Sequence, residues 1–465
     1  MDSGCWILGK KVQSFHSVQN PVPSVQHLMY YHLTTFGCQM NKHDSERIRG
    51  VLEENGWSAA AAPELADLLV FNTCAVRKSA ESRLLGRLGE AGRLKKERPG
   101  RLVALGGCFA QSRQEKIFTE VPFLDVAFGP RNIAELPALL EAAVSGPAAA
   151  YSFEDHPFPS ADLPARRQGR HRAWVQVMTG CTNFCSYCIV PSVRGPERSR
   201  PETEITAEVK KLVDEGVIEV TLLGQNINAY GLDLEPSGRR EDFAGLLARL
   251  NGIDGLERIR FTTSHPKDLS NRLIDAIRDL PSVCEHLHLP AQSGSTHILE
   301  RMKRCYSREE YLALVNRLYG AVPGLSLTTD LIVGFPGERE EDFYRTTTLV
   351  ESCRFDGAFT FVFSARPGTE AAGLPGKVPE KAIKRRIREL VKLTQRLAEE
   401  NNRQLVGRQL QVLVEGAGRR GSQLRGRTRT NKIINFSGSA KAGDLVDVTV
   451  VSATSATLKG QQVAS

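Results

Sequence analysis

The sequence predicts an α/β protein in three parts: an N-terminal doubly wound α/β domain over residues 29–145, a central partial (β/α)6 barrel over 167–399, and a small OB-like β-barrel over 400–463. Three observations predict it. From Leu28 to about Gly146, short apolar runs alternate with polar, helix-like stretches, the mark of a parallel sheet covered by helices. The alternation resumes beyond a proline-rich stretch and continues through six more strand-and-helix units. After one long amphipathic run, Pro379 to Asn401, the pattern changes to short strands parted by turn residues.

Residues 1–28 carry the short apolar patch Trp6-Ile7-Leu8 ahead of Lys10 and Lys11, the wrong order for a signal peptide, and are expected to be a loose extension with Cys5 incidental. In the first domain, three apolar runs end in cysteine: Leu33 to Cys38, Leu68 to Cys74 and Leu102 to Cys108. The carboxyl ends of parallel strands share one edge, where ligands bind, so these three sulfurs are expected to meet. Taken singly, each would be a small buried hydrophobe. Helices are expected at 41–55, 78–97, 110–120 and 132–143. The second is very basic, through Arg77, Lys78, Arg83, Arg87, Arg93, Lys95 and Lys96, and reads as a solvated face or a phosphate contact.

Residues 146–166 hold Pro147, Pro157, Pro159 and Pro164 without apolar periodicity and read as a linker. Strands follow at Trp174 to Met178, Ile218 to Leu223, Ile259 to Thr263, His286 to Leu289, Leu325 to Val333 and Phe359 to Phe363. Ser307-Arg308-Glu309-Glu310 ahead of an apolar run predicts a capping box. The carboxyl ends of the strands form the rim where a barrel of this kind places its site. Small or polar residues stand there: Gly224-Gln225-Asn226, Ser264-His265-Pro266, Gln292-Ser293-Gly294 and Gly334 to Glu338. His265, His286 and His288 are candidate acids or bases, or hydrogen-bonded structure.

The loop after the first barrel strand reads Gly180-Cys181-Thr182-Asn183-Phe184-Cys185-Ser186-Tyr187-Cys188, a C-x3-C-x2-C cluster. Three thiolates in one loop are soft ligands that select zinc, copper(I) or iron-sulfur clusters. A structural zinc site wants a fourth ligand nearby, and none follows at such spacing. On a four-iron cluster, three thiolates leave one iron open to a small molecule.

The ten cysteines of this 465-residue chain sit in a globular composition, 41% hydrophobic and 25% charged, without an export pattern. Metal or catalytic roles therefore outweigh a disulfide framework, and a cytoplasmic setting is expected. Cys284, Cys305 and Cys353 have no metal spacing. No stretch reaches the roughly 18 apolar residues of a membrane span. The formal charge is +8, and residues 401–465 hold ten basic residues against three acidic ones, so nearly all the excess lies where a polyanion would feel it. Arg425, Arg427 and Arg429 alternate along one strand and leave it on the same face, a stripe that with Phe436 nearby suits single-stranded RNA or else a solvated strand.

Cys181, Cys185 and Cys188, with Tyr187 before the last, resemble the signature of the radical S-adenosylmethionine enzymes. With the three spaced cysteines ahead of them and the basic β domain behind, the whole arrangement over about residues 29–463 resembles the methylthiotransferases, whose C-terminal part is a TRAM domain. Phe36 to Asn41, Asn72 to Arg77, Leu223 to Tyr230 and Ser364 to Thr369 resemble the branch of that family called MiaB, which acts on prenylated adenosine in tRNA. Gln39-Met40-Asn41 is the discriminating stretch, since the ribosomal-protein and threonylcarbamoyladenosine branches carry other residues there.

The resemblance implies two [4Fe-4S] clusters, one on Cys38, Cys74 and Cys108 and one on Cys181, Cys185 and Cys188. It implies S-adenosylmethionine held near Tyr187, Gly224, Gln225, Gly334 and Gly337, and RNA met by Arg425, Arg427 and Arg429. The implied substrate is adenosine 37 in a tRNA anticodon stem-loop. An electron donor such as flavodoxin or ferredoxin is implied, with no membrane partner and a monomeric chain. Carbon 2 of adenine carries a C–H bond that no side-chain base could deprotonate near neutral pH, which is why a radical route is required. The rival readings are the same chemistry on threonylcarbamoyladenosine or on a ribosomal protein, or an RNA-binding iron-sulfur sensor without turnover.

Overall fold

The structure is a computed structural model that describes residues 5–7, 10–12, 29–76, 78–146, 149–156, 163–167, 169–234, 242–418, 421 and 423–463, with the side chains of 5–7, 10–12 and 78–80 left aside. The chain divides into two compact units: Met1–Gln168 with Thr179–Cys181 and Ile189–Pro196, and Gly169–Met178 with Thr182–Cys188 and Glu197–Ser465.

The first unit is built on one sheet. In chain order its elements are β1 (Cys5–Ile7), β2 (Lys10–Val12), β3 (Met29–Phe36), α1 (Gln39–Glu54), β4 (Trp57–Ala59), β5 (Leu68–Thr73), α2 (Lys78–Glu97), β6 (Leu102–Gly106), α3 (Cys108–Arg113), α4 (Lys116–Glu120), β7 (Val126–Phe128), α5 (Leu136–Ser145) and β8 (Ala150–Ser152), with α6 (Val190–Arg194) added from further along the chain. The sheet runs β2-β1-β8-β7-β6-β5-β3-β4, parallel from β8 to β4. Every residue of β5 is buried, as a central strand covered on both faces requires. Leu84, Leu88, Leu94 and Phe109 cover one face from α2 and α3, and Ile48, Leu52, Leu136 and Leu140 cover the other from α1 and α5. Each such side chain contributes about 2 kcal/mol by leaving water. Strand order reverses between β3 and β5, so a crevice opens at their carboxyl ends.

Three expectations for this region are corrected. Residues 150–152, placed in a linker, form β8 and pair in parallel with β7, because three residues are too few to show a period. Residues 5–7 and 10–12, expected to be loose, pair as a hairpin whose first strand joins β8. The helix expected at 110–120 is two, broken at Gln114 with φ of +49°.

The second unit begins with β9 (Arg172–Gln176). The two-residue strands β10 (Met178–Thr179) and β11 (Arg198–Ser199) bracket the cysteine loop in sequence. Then come α7 (Glu202–Asp214), β12 (Glu219–Leu223), α8 (Phe243–Asn251), β13 (Arg258–Thr262), α9 (Asn271–Asp279), β14 (His286–His288), α10 (Thr296–Arg301), α11 (Arg308–Ala321), β15 (Ser326–Val333), α12 (Glu340–Cys353) and β16 (Gly357–Val362). The strands form parallel sheets β13-β12-β9 and β14-β15-β16, bridged at Ile259 and Val283. This is the six-stranded open barrel the periodicity predicts. Val175, Val220, Leu222, Ile259, Leu287, Leu327 and Leu331 point toward the helices and build one core with Val209, Leu246 and Leu314. Strand residues of the other parity, among them Trp174, Thr221, Arg260, His288, Asp330 and Phe359, share the opposite, inner face. The Ser307 to Glu310 capping box is present at the start of α11.

Helix α13 (Glu380–Arg403) leads to β17 (Gln409–Ala417), β18 (Leu424–Thr428), β19 (Ile433–Ser437), β20 (Leu445–Ala453) and β21 (Leu458–Gln462), a closed barrel in the order β17-β18-β19-β21-β20. Val412, Val414, Ile434, Phe436, Val448, Val450 and Leu458 fill it. The small barrel docks at the amino ends of the larger one's strands. Arg258 donates to the Arg427 carbonyl at 2.8 Å, and Arg260 donates to the carbonyls of Thr428 and Arg429, both at 2.7 Å.

Candidate functional site

Cys38, Cys74 and Cys108 stand just past β3, β5 and β6, as the sequence predicts. Gly37 and Gly107 make the exits tight. At Gly37, φ is +136° and an added Cβ would lie 2.6 Å from both Asn41 Oδ1 and the Cys74 Cβ. A side chain there would push the two cysteine loops apart. Below the sulfurs lies a buried amide network in which Asn72 Nδ2 donates to the Asn41 carbonyl at 2.8 Å and to Ser45 Oγ at 2.9 Å. The Cys74 thiol donates to Cys38, pulling Cys38 down to about 6 despite its burial, with Asn41 and Arg194 adding to the effect. Cys74 is pushed up by the same contact and by burial. Burial raises Cys108 as well, opposed by Arg194.

Arg194 was not singled out in the sequence. It is 4% exposed, donates from Nε to Cys108 Sγ at 3.1 Å and from Nη2 to Asp44 Oδ2 at 2.7 Å. Asp44 belongs to an α1 segment, His43 to Arg47, that is buried although wholly polar, so an ordinary solvated helix pattern concealed it. The donor set fits an iron-sulfur group: three sulfurs at the ends of neighbouring parallel strands, with a cation against one of them. Among the described residues no three His, Cys, Asp or Glu side chains gather closely enough to hold a single ion. A cluster makes a different demand, since each thiolate binds its own iron.

In the second unit, Cys185 and Cys188 share a tight turn, with the Cys188 amide donating to the Cys185 carbonyl at 2.9 Å. The loop is clamped through Ser186, whose amide and hydroxyl donate to the carbonyls of Met302 and Arg301, and whose carbonyl accepts from the Ala371 amide. Arg304 Nη1 donates to Cys185 Sγ at 3.5 Å. Cys181 lies in the first unit, where its amide donates to the Gly195 carbonyl at 3.1 Å.

Tyr187 packs edge-on against Phe335 with ring centroids 6.4 Å apart, which places it beside the turn after β15. In that turn Gly334 and Gly337 have φ of +76° and +86°, and a Cβ on Gly334 would lie 2.8 Å from Ile383. Gly224 and Gln225 follow β12. Asn226 Oδ1, Ser264 Oγ and Glu338 Oε1, at the ends of β12, β13 and β15, are buried without a hydrogen-bond partner among the described residues. Buried polar atoms are seldom left so. The amino, carboxylate and ribose groups of S-adenosylmethionine are the kind of partners they lack, and the rim fits that cofactor.

The histidines divide. His265 is buried and its Nδ1 accepts from the Lys267 amide, and burial with nearby Arg304 and Lys267 holds it neutral. Burial likewise keeps His286 neutral. His288 is on the inner face, its Nδ1 3.0 Å from Thr328 Oγ1 and its Nε2 3.5 Å from Asp330 Oδ1.

The arginine stripe is where the structure departs most from expectation. Arg425 and Arg427 do share a face, but both are paired with Glu415, at 3.3 and 2.9 Å, and Arg429 is paired with Glu285 at 2.7 Å and donates to the Val283 carbonyl. Phe436, expected to stack on bases, is fully buried in the small barrel. Strand alternation locates a face correctly without saying what covers it. On α2, Arg87, Arg93 and Lys95 are paired with Glu90, Glu97 and Asp125, the solvated-face reading.

Three family models match the chain: "Uncharacterized protein family UPF0004" over 30–129, "Radical SAM superfamily" over 175–350 and "TRAM domain" over 403–463. In fold, the chain is similar to a radical S-adenosylmethionine methyltransferase from Kitasatospora setae with tryptophan and an S-adenosylmethionine analogue bound, at a TM-score of 0.52, 14% identity, and coverage of 74% of this chain and 75% of that one. Fold and cysteine loop together define a radical S-adenosylmethionine enzyme, and that class implies S-adenosylmethionine and a [4Fe-4S] cluster. The sequence is 46% identical to a Thermoanaerobacter pseudethanolicus protein over 94% of this chain and 93% of that one, 48% identical to one from Caldicellulosiruptor saccharolyticus (87% and 86%), and 47% identical to one from Acidothermus cellulolyticus (93% and 88%). All three bear the name tRNA-2-methylthio-N(6)-dimethylallyladenosine synthase, and this chain belongs to that family.

Proposed function

We propose that the chain transfers a methylthio group to carbon 2 of N6-dimethylallyladenosine at position 37 of tRNA, using two [4Fe-4S] clusters. The observation that carries the two-cluster reading is the convergence of Cys38, Cys74 and Cys108 at the switch point of the first sheet, in a chain that also holds the C-x3-C-x2-C loop. Cys38, Cys74 and Cys108 hold one cluster, and Cys181, Cys185 and Cys188 the other. When bound, the loop cluster would supply the electron that splits S-adenosylmethionine into methionine and a 5′-deoxyadenosyl radical, the carbon 2 hydrogen would leave as part of 5′-deoxyadenosine, and the first-unit cluster would hold a sulfide methylated by a second S-adenosylmethionine. The chain's part is to position them. Tyr187, Gly224, Gln225, Gly334 and Gly337 shape the S-adenosylmethionine bed, with Asn226, Ser264 and Glu338 offering its free polar atoms.

The inner face of the large barrel receives the base. Phe359 is 54% exposed there, with its ring 5.9 Å from that of His288, an apolar, aromatic wall for a prenylated purine. Adenosine 37 lies in a single-stranded loop, where turning a base out costs least. The TRAM barrel grips phosphates. Arg425, with one carboxylate partner at 3.3 Å, is the best placed of the three stripe arginines, while Arg427 and Arg429 mainly hold the barrel in place. Flavodoxin or ferredoxin suits the electron supply, and a monomer suffices.

Replacing Cys38, Cys74 and Cys108 together by Ala tests the reading. The reconstituted variant is expected to lose about half its iron and still cleave S-adenosylmethionine, while inserting no sulfur. Unchanged iron content would overturn the two-cluster assignment.

A further inference from the structure

Two arginines are buried against cluster cysteines, one in each unit. Arg194, 4% exposed, donates to Cys108 Sγ at 3.1 Å and is paired with Asp44, which is equally enclosed. Arg304, 8% exposed, donates to Cys185 Sγ at 3.5 Å and otherwise uses neutral partners, the Tyr306 hydroxyl at 2.9 Å and the Pro290 carbonyl at 3.1 Å. Taking a guanidinium out of water is costly, and hydrophobic side chains of similar volume serve packing alone at least as well. A charge kept in such a place, with a donor on a ligating sulfur, acts on whatever that sulfur binds. Ala75, Ile189 and Val193 pack beside Cys108, and in such apolar surroundings the interaction is little screened.

We infer that Arg194, held by Asp44, is a positioning residue of the Cys38, Cys74 and Cys108 cluster that orients Cys108 and raises the cluster's reduction potential. This rests on the two-cluster reading. Reduction adds one electron to the cluster, and a donor or cation at a ligating sulfur stabilises the more negative state. Asp44 acts with the opposite sign. It fixes the guanidinium through a charge-assisted bond to Nη2 while offsetting part of its field, whereas Nε of the same guanidinium donates directly to the sulfur. The two residues therefore set the potential between them, and changing them one at a time moves it in opposite directions. Packing alone gives no such pair of signs.

The test uses the full chain with Cys181, Cys185 and Cys188 replaced by Ala, so that one cluster remains, and titrates its potential by electron paramagnetic resonance. With Asp44 intact, Arg194→Gln is expected to lower the potential. Asp44→Asn is expected to raise it. The double variant, which leaves no lone buried charge and so guards against a folding failure of either single variant, is expected to lie below the parent and above Arg194→Gln. Arg304→Gln serves as a control expected to leave this potential unchanged. A parent without about four irons would sink the two-cluster reading itself. A parent that holds them, with Arg194→Gln and the double variant at the parent potential, would overturn the role given to Arg194 and leave that reading standing.

Discussion

At the scale of single residues, much of the chain's chemistry lies in polar groups the fold has taken out of water. His265 shows the consequence for pH. Burial, Arg304 and Lys267 depress its folded-state pKa, so the unfolded chain binds a proton below about 6.5 that the folded chain refuses. Its contribution to stability is therefore complete above that pH and is lost as pH falls, at up to about 1.4 kcal/mol per unit. Denaturant melts between pH 7.5 and 5 are expected to show this slope, and His265→Gln to flatten it. Phe359 gives a test of specificity. If its exposed ring meets the prenyl group, Phe359→Ala should cut the preference for prenylated over unprenylated tRNA by roughly tenfold, as loss of one apolar contact does. An unchanged preference would place the prenyl group elsewhere. The two cysteine triads stand out in the sequence through strand ends and a tight spacing, and the structure places Cys38, Cys74 and Cys108 just past β3, β5 and β6. Asp44, Arg194 and Arg304 were not legible there, since nothing in a polar helix or a loop arginine says that it is buried.

At the scale of elements, the periodicity of the chain carried most of the information. The six barrel strands fall within a few residues of their expected places, and five short strands follow the long amphipathic helix as the change of pattern predicts. Elements of three residues, β8 above all, are too short for periodicity to show. The arginine stripe on β18 exposes a different limit. Its face was right, yet its partners Glu415 and Glu285 lie on β17 and just before β14, contacts set by barrel closure and docking. Arg425→Ala is expected to weaken tRNA binding and reduce the slope of log affinity against log salt by about 0.7 to 0.9. Arg429→Ala is expected to lower the melting temperature instead, with little change in that slope. Filter binding at several salt concentrations, beside thermal melts, separates the two. Equal salt effects would return the whole stripe to RNA.

At the scale of the whole molecule, the family membership and the two cysteine triads converge on one reaction, and the described helices include none long and apolar enough to cross a membrane. Substrate choice was legible only through resemblance, chiefly Gln39-Met40-Asn41. In the structure Met40 and Asn41 are buried, with Asn41 Oδ1 3.3 Å from Cys38 Sγ, while Gln39 is exposed. The central claim is therefore tested most directly on the product. The reconstituted protein is supplied with S-adenosylmethionine, a reductant and tRNA bearing either prenylated adenosine or threonylcarbamoyladenosine at position 37, and the digested nucleosides are weighed by mass spectrometry. The account predicts 2-methylthio-N6-dimethylallyladenosine from the first tRNA and unchanged threonylcarbamoyladenosine from the second. A methylthio group on threonylcarbamoyladenosine, or none on either tRNA while 5′-deoxyadenosine accumulates, would contradict it.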